Sequence, residues 1–299
     1  MSARTPDVWI EAARPRTLPA AIAPVVVGTA TATEFIGWRF AAALIVSLAV
    51  QVAVNYANDY FDGVKGVDTE DRLGPRRVVA AGLISPRAMR WGIVAALSVA
   101  AIAGLVLAVM ISWWLLAVGA AAFLAALGYS GGSRPYASMG LGELFVFVFF
   151  GLVATVGSAF VQDERIALLP VTAAVPVGLL AVAILVANNL RDLPTDDEAG
   201  KLTLAVRMGD HRTRWFYTAA VGLAFVMVFA VVEAAGSVWP MLALIAAAPA
   251  AKPVWMTLTG VTGRPLVGVL TGTAQTQLGF GLLLAAGLLI AGDPEGLVP

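Results

Sequence analysis

The sequence predicts an all-α membrane protein with about nine transmembrane helices. Three observations support this fold class. Apolar residues make up 60% of the chain, charged residues only 13%, and the mean hydropathy is +0.86, whereas a soluble domain carries roughly a quarter charged residues. The apolar residues form long unbroken runs, without the alternation that a transmembrane β-strand requires. The basic residues are concentrated in alternate connections between these runs.

Nine apolar runs are long enough to be considered as membrane spans. They lie at 18–34, 40–58, 91–111, 113–130, 141–160, 167–190, 215–235, 238–258 and 267–291. The first contains the proline-interrupted stretch PAAIAP, so an eight-helix chain with a re-entrant first segment is the alternative. Tight turns such as ISWW and AAGSVW join some runs, whereas three connections are long and polar.

The orientation follows from the Lys and Arg residues, which accumulate on the cytoplasmic side of membrane proteins. Of the 19 basic residues, a nine-helix chain with a cytoplasmic N-terminus leaves only Arg39 and Arg165 outside. Most carboxylates fall on the cytoplasmic side as well, mainly after the second and sixth helices. Because both signs of charge crowd one face, we expect a site there, facing the cytoplasm from the cell (plasma) membrane, that binds a polyanion through metal ions.

Two matching polar clusters end the second and the sixth helix. Asn58 and Asp62 in the first, and Asn188 and Asp192 in the second, share the spacing N-x-x-x-D. Side chains four positions apart lie on one face of a helix. The repeat predicts a single domain over 1–299 that consists of two pseudo-equivalent helix quartets and a final helix.

Further carboxylates accompany each cluster and predict a metal site. Pro194 disfavours helical backbone at the residue before it, which predicts that Asp196 reaches in from the turn after the sixth helix. Carboxylates this close repel one another unless a cation lies between them, and oxygen ligands without His or Cys favour Mg²⁺. The candidate ligands are Asn58, Asp59, Asp62, Asp68, Asn188, Asp192 and Asp196.

Basic residues near the clusters can bind the anion that Mg²⁺ would bridge. The candidates are Lys65, Arg76 and Arg77 after the second helix, Arg134 in GYSGGSRPY and Lys201 in DEAGKLTLAVRMG. Glu143 lies about one turn inside the run GLGELFVFVFFG, where a carboxylate is costly unless it faces a cavity or a partner. The phenylalanines of that run pack, face lipid or shield a carbocation with their ring faces.

The residue types that the chain lacks narrow its chemistry. It has no Cys and one His, His211, which excludes thiolate catalysis, iron–sulfur clusters and multi-His metal centres. A Walker-type glycine loop is missing too, which disfavours a nucleoside triphosphate as donor, and we expect no nucleic acid partner. Acidic clusters beside a membrane cavity suit a donor with a diphosphate head and a hydrocarbon tail. A secondary transporter with ion-coupling carboxylates is the alternative class.

Several motifs resemble a known family. NDYFDGVKGVD and NNLRDLPTDDEAGKLTLAVRMG resemble the two aspartate-rich motifs of the UbiA superfamily of intramembrane prenyltransferases. More narrowly, ARPRTLPAAIAPVVVGTA, YSGGSRPY, GELFVFVFFG and VANNLRD resemble the branch of that superfamily that prenylates 1,4-dihydroxy-2-naphthoate in menaquinone biosynthesis. The similar stretch runs from about residue 12 to residue 210. Gly66 occupies the third acidic position of the first motif, and Arg134 stands where many relatives have Lys.

The resemblance implies a UbiA-type helix bundle and a reaction. A polyprenyl chain would pass from polyprenyl diphosphate to 1,4-dihydroxy-2-naphthoate with Mg²⁺ as cofactor, with loss of CO₂, giving demethylmenaquinone. Asn58, Asp62, Asn188, Asp192 and Asp196 would bind Mg²⁺ and diphosphate, and Arg134, Lys201 and Arg16 of RPRT would contact the diphosphate. Other acceptors used within the superfamily, such as 4-hydroxybenzoate, homogentisate or haem, are the alternatives. The prenyl chain length and the oligomeric state are left open.

Overall fold

The computed structural model describes residues 5–65 and 77–292, and these residues form helices and connections without any strand. Eleven helices follow one another in this part of the chain, apart from two short 3-10 turns at Pro15–Thr17 and Tyr136–Met139. They are α1 (Thr5–Ala13), α2 (Pro19–Ala30), α3 (Gly37–Lys65), α4 (Pro86–Met110), α5 (Trp114–Gly128), α6 (Gly142–Asp163), α7 (Leu168–Glu198), α8 (Leu204–Met208), α9 (Asp210–Ala235), α10 (Trp239–Leu258) and α11 (Pro265–Ala291).

Nine of these helices coincide with the nine apolar runs. Seven of them (α3, α4, α6, α7, α9, α10 and α11) are long and apolar enough to cross a membrane. The other two, α2 and α5, have 12 and 15 residues. At 1.5 Å per residue they cover only about 18 and 22 Å of a hydrocarbon core of about 30 Å. The all-α polytopic fold is confirmed, whereas the count of nine spans and the cytoplasmic N-terminus stay predictions.

Helix α7 lies at the centre of the bundle. In its apolar window, 67% of the residues are buried, compared with 22% in α3 and in α4. It packs against α2, α6, α9 and α11, and the main hydrophobic cluster includes its Leu180 together with Tyr217 of α9 and Phe280 of α11. Because α7 is internal, the polar residues Asn189, Asp192 and Asp196 near its C-terminal end are buried in protein.

Helix α6 approaches α7 closely and contains an irregular turn. A Cβ atom on Gly151 would lie 2.7 Å from the Cα of Gly178 in α7, and a Cβ on Gly178 would lie 2.9 Å from the Phe147 ring. The segment Phe147–Val153 is π-helical, a wider turn that is frequent at functional sites. Two glycines thus bring the backbones of α6 and α7 together at this turn.

The N-terminal helix α1 was not predicted. Its Val8 and Ala12 are buried in a small cluster with Val78 and Ile84, from the chain before α4, and with Met89 of α4. The helix has only nine residues, and residues distant in sequence complete its apolar face. The sequence pattern of the first fifteen residues alone therefore gave no sign of it.

The prediction that α7 ends before Asp196 was wrong. The helix continues through Pro194 to Glu198, and Asp196 is a buried helical residue. Proline cannot donate a backbone hydrogen bond, but the Thr195 hydroxyl donates to the Asp192 carbonyl at 2.9 Å within the same turn. Leu193 packs against the main cluster, and such tertiary contacts outweigh the local preference against helix before proline.

Candidate active site

The first polar cluster lies at the C-terminal end of α3, and its side chains are buried. Asp62 is 6% exposed, and its Oδ2 accepts a 2.6 Å hydrogen bond from the Arg77 guanidinium. The Oδ1 of Asn58 accepts a 2.6 Å hydrogen bond from the Ser130 hydroxyl. The loop after α5 is therefore joined to α3 at this point.

The second cluster lies at the C-terminal end of α7. Arg191 and Asp192 form two parallel hydrogen bonds of 2.7 Å each, from Nε to Oδ1 and from Nη2 to Oδ2. Arg191 also donates to the Oδ1 of Asn188 at 2.9 Å. Arg191 thus holds two candidate ligands together. Sequence reasoning missed it, although it lies within the NNLRD motif.

Lys201 connects the two clusters. Its Nζ lies 3.5 Å from the Oδ1 of Asp196 in α7 and 3.9 Å from the Oδ2 of Asp62 in α3. The Lys201 side chain is 20% exposed. The C-terminal ends of α3 and α7 therefore meet at one end of the bundle, with a positive charge between carboxylates of both helices.

Some predicted residues lie outside this arrangement. The carboxylate of Asp59 accepts the backbone N–H groups of Val78 and Val79 at 3.1 and 2.9 Å, so it anchors the segment that follows the α3 loop. Arg16 and Arg134 are exposed, and neither forms an ion pair with a carboxylate in the described part of the chain. Asp68, Arg76 and the side chain of Lys65 lie outside the described residues.

The donor set fits Mg²⁺, and basic side chains accompany the carboxylates. The oxygen donors are the carboxylates of Asp62, Asp192 and Asp196 and the amides of Asn58 and Asn188, which are ligands that Mg²⁺ prefers. The Lys201 ammonium shows that a cation is stable between the clusters. Across residues 5–65 and 77–292, no three acidic or His side chains form a ready metal cage. Metal binding to Asp62 and Asp196 would therefore replace the contacts of Lys201 with these two carboxylates.

A cavity of about 500 Å³ extends from the clusters into the bundle. Its polar end is lined by Arg14, Thr17, Asn55, Asn58 and Asn188, and the rest mainly by apolar side chains of α3, α4, α5, α6 and α7. The lining residues of α3 run from Ala43 to Asn58, about 22 Å along the helix axis. The shape suits a ligand with a polar head and a long apolar tail.

Aromatic rings line the cavity in a row. Tyr129 meets Tyr136 edge-on with centroids 5.5 Å apart, Tyr136 stacks on Phe145 at 4.0 Å, and Phe145 stacks on Phe149 at 6.1 Å. The Tyr136 hydroxyl donates to the Ala125 carbonyl at 2.8 Å, and burial raises the pKa of Tyr136, so it stays protonated. Sequence reasoning considered only the phenylalanines. The two tyrosines bracket YSGGSRPY, which is the signal that identifies them.

Glu143 has a specific partner inside the bundle. It is 5% exposed, and its Oε1 accepts a 2.9 Å hydrogen bond from Asn189. Its Oε2 has no partner among the described residues. Asn189 directly follows Asn188, so the carboxylate is joined to the turn of α7 that carries the second cluster.

Comparison with known proteins places this site in a family. The model of the UbiA prenyltransferase family matches residues 20–267. The chain is 44% identical to 1,4-dihydroxy-2-naphthoate octaprenyltransferase of Mycobacterium tuberculosis over 94% of this chain and 96% of the relative. It is 35% identical to the Escherichia coli enzyme of the same name over 95% and 96%.

The chain belongs to the UbiA prenyltransferase family. The resemblance seen in the motifs is confirmed, and it extends beyond residue 210 to include α9 and α10. The matched region contains both polar clusters and most of the cavity lining.

Solved structures share the UbiA fold over almost the whole chain. A UbiA homolog from Aeropyrum pernix K1 superposes with a TM-score of 0.63 at 18% identity, covering 97% of this chain and 99% of the other. A UbiA homolog from Archaeoglobus fulgidus, bound to GPP and Mg²⁺, gives 0.62 at 13% identity, covering 93% and 99%. At this level of identity the likeness establishes the fold.

Proposed function

We propose that this UbiA prenyltransferase transfers a polyprenyl chain from polyprenyl diphosphate to 1,4-dihydroxy-2-naphthoate, with release of diphosphate and CO₂, giving demethylmenaquinone in its reduced form. The observation that carries the proposal is the long apolar cavity with both polar clusters at one end. The names of the relatives at 35 and 44% identity support the naphthoate acceptor.

The diphosphate head binds between α3 and α7 in this proposal. Asn58, Asp62, Asn188, Asp192 and Asp196 would hold Mg²⁺, which would supply positive charge that stabilises a leaving diphosphate. The Lys201 ammonium lies within 4 Å of Asp62 and Asp196 in the structure. In this proposal it contacts diphosphate oxygens in place of these carboxylates once the donor binds. Arg191 remains beside Asp192 and keeps Asn188 directed toward the head group.

The prenyl tail occupies the apolar part of the cavity and leaves its first carbon near the clusters. When the bond between this carbon and the diphosphate oxygen breaks, an allylic cation remains. The row from Tyr129 to Phe149 presents ring faces and edges along the cavity wall, and ring faces stabilise cations. The surrounding apolar side chains exclude water, which would otherwise capture the cation.

The acceptor forms the new bond at its carboxyl-bearing ring carbon. The ring supplies the electron pair to the allylic carbon, and the carboxylate then departs as CO₂, returning its bonding pair to the ring. No side chain needs to remove a proton from that carbon. The protein's task is therefore to orient the acceptor and to keep its carboxylate ionised.

Glu143 acts as a positioning residue. Its hydrogen bond to Asn189 fixes the rotation of the α7 turn that carries Asn188, a candidate ligand on the cavity wall. Glu143 contacts the residue next to a candidate ligand, so we expect it to influence metal affinity indirectly, through the position of Asn188.

The protein is a multi-pass membrane protein, and we place it in the cell (plasma) membrane with nine spans and with the clusters facing the cytoplasm. Seventeen of the 19 basic residues on one side, in the nine-span arrangement, support this orientation.

The proposal is tested with the purified chain in detergent. Incubation with 1,4-dihydroxy-2-naphthoate, a polyprenyl diphosphate and Mg²⁺ is expected to give a decarboxylated prenylated quinol by mass spectrometry, and EDTA is expected to abolish it. The control reaction replaces the naphthoate by 4-hydroxybenzoate. Product only with 4-hydroxybenzoate would reassign the acceptor, and product in the presence of EDTA would refute the metal requirement.

A further inference from the structure

A second apolar cavity opens on the outer face of the bundle, where α1, α3 and α4 meet. It is a groove that runs along α4 from Ala88 to Val99, beside Trp9 of α1 and beside Val52 and Tyr56 of α3, and it is called the α4 groove below. It shares no lining residue with the cavity that extends from the polar clusters. The α4 groove is therefore a separate feature of the molecule.

The length of the α4 groove matches one leaflet of a bilayer. From Ala88 to Val99 it covers about 16 Å along the α4 axis. Half of a hydrocarbon core about 30 Å thick is about 15 Å. On α3, Tyr56 lies less than two turns before Asp62, so the groove belongs to the leaflet on the side of the polar clusters.

Aromatic rings mark the end of the α4 groove that is nearest to the clusters. The Trp9 ring meets the Tyr56 ring edge-on with centroids 5.4 Å apart, and a Cβ on Gly92 would lie 2.6 Å from the Trp9 ring. Trp91 also lines this end and is 72% exposed. Trp and Tyr are enriched where the hydrocarbon of a membrane meets the lipid head groups. This end of the groove thus lies at head-group level.

Arg87 supplies positive charge at the same end. It is exposed and lies four positions before Trp91, so the two side chains are neighbours on α4. It forms no ion pair with a carboxylate within residues 5–65 and 77–292. The acidic residues of α1, Asp7 and Glu11, are each two positions from Trp9 and do not share its face. The positive end of the α4 dipole adds to the charge of Arg87.

We propose that the α4 groove binds an anionic phospholipid of the surrounding leaflet. One acyl chain lies along α4 from Ala88 to Val99, and the phosphate oxygens accept hydrogen bonds from the Arg87 guanidinium. A zwitterionic phospholipid offers the same chain and phosphate, but its own positive charge offsets the attraction to Arg87. The inference goes beyond the proposed function and does not depend on it, since no residue of the groove lines the reaction cavity.

The head-group contact is tested by native mass spectrometry of the purified chain in detergent. With equal amounts of dioleoylphosphatidylglycerol and dioleoylphosphatidylcholine, the wild type is expected to retain the anionic lipid about 5-fold more, the attraction that one basic residue provides near a membrane surface. Arg87→Gln is expected to retain both lipids equally. Arg90→Gln is the matched control, because Arg90 is also exposed but is three or four positions from no residue of the groove, and it is expected to keep the wild-type preference.

The acyl-chain contact is tested by filling the α4 groove. Ala95→Phe places a ring where the chain would lie and is expected to lose the retained lipid. Val94→Phe is the matched control, because Val94 is 49% exposed and lies outside the groove. Thermal unfolding shows whether each variant is folded. It also measures the rise in midpoint that phosphatidylglycerol is expected to cause in the wild type and in Val94→Phe, but not in Ala95→Phe.

Three results would overturn the proposal. One is equal retention of the two lipids by the wild type, and another is an unchanged preference in Arg87→Gln. The third is undiminished lipid retention by Ala95→Phe. Inorganic phosphate is added alone as a further arm, and a rise in midpoint equal to that caused by phosphatidylglycerol would show a site for free anions instead. None of these measurements uses a prenyl donor or an acceptor, so their outcome is independent of the proposed reaction.

Discussion

At the scale of single residues, buried charges in this protein are held by specific partners. Asp62 pairs with Arg77, Asp192 with Arg191, and Asp196 with Lys201. Removing one member of a buried pair leaves the other charge uncompensated, which costs more than the pair itself contributes. Replacement of a buried, paired carboxylate is therefore expected to cost much more than replacement of an exposed carboxylate at the next position.

Asp196 and Asp197 provide a direct comparison of neighbouring carboxylates. Asp196 is 6% exposed and contacts Lys201, whereas Asp197 is exposed. We expect Asp196→Asn to lower kcat/KM by about 100-fold or more, the scale of one lost electrostatic contact in an active site, and Asp197→Asn to retain wild-type activity. Steady-state prenyl transfer by both purified variants measures the difference. Equal activity of the two variants would show that Asp196 does not contribute to the active site.

Glu143 is expected to act on Mg²⁺ affinity through Asn189. Glu143→Leu removes the acceptor of the Asn189 hydrogen bond and is expected to raise the Mg²⁺ concentration for half-maximal activity about 10- to 100-fold. Glu143→Gln retains an acceptor oxygen and is expected to stay within a few-fold of wild type. A Mg²⁺ titration of activity distinguishes them. A similar Mg²⁺ requirement in all three proteins would limit Glu143 to a structural role.

At the scale of helices, close backbone contacts determine where the cavity lies. The glycine contact between α6 and α7 holds the π-helical turn against the central helix, and the cavity-lining Phe145, Phe149 and Phe150 lie on and beside this turn. Small residues at helix interfaces are the usual means of close packing in membranes.

Gly151→Ala is expected to destabilise the bundle. Its Cβ would lie 2.7 Å from the Cα of Gly178, and overpacking of this kind costs about 1–3 kcal/mol. Gly222→Ala in α9 is the matched control, because a Cβ there meets nothing within 4 Å. Thermal unfolding in detergent should show a lower midpoint for Gly151→Ala and no decrease for Gly222→Ala. An unchanged midpoint for both would mean that α6 and α7 move apart at little cost.

At the scale of the whole molecule, the ends of α3 and α7 meet although more than 100 residues separate them in sequence. The meeting of these ends brings both aspartate-rich motifs to one side of the bundle. The opposite ends are joined as well, since Asp163 at the end of α6 accepts hydrogen bonds from the Thr33 backbone before α3. One end of the bundle therefore carries both polar clusters, whereas the other carries the contact between Asp163 and the Thr33 backbone.

The absence of cysteine from the chain allows a clean test of topology. Glu34 and Ser133 are exposed at the two ends of the bundle, and the nine-helix orientation puts Glu34 outside and Ser133 in the cytoplasm. We expect a membrane-impermeant maleimide to label Glu34→Cys in intact cells, and Ser133→Cys only after the membrane is permeabilised. Labelling of Ser133→Cys in intact cells would reverse the orientation.

The resemblance of the motifs already named the family and both candidate metal clusters. The hydrophobic runs predicted each long helix to within a few residues at most ends, because burial in lipid requires unbroken apolar segments. The predicted end of α7 was wrong, and Asp59 and Arg16 lie outside the contacts that join the two clusters. For Asp59 the backbone of Val78 and Val79, and for the end of α7 a local hydrogen bond and the packing of Leu193, determined the observed structure.

Hydropathy, charge distribution and the paired spacing were sufficient to predict the membrane fold and the two clusters, because these depend on composition and on spacing within single helices, and the resemblance of the motifs indicated the family. The tertiary structure alone decided that Lys201 lies between the clusters and that Asp59 binds backbone amides. It also decided that Arg14, and not Arg16, reaches the cavity. These outcomes depend on contacts between helices and on the left-handed backbone turn at Arg14, neither of which follows the periodicity that a sequence displays.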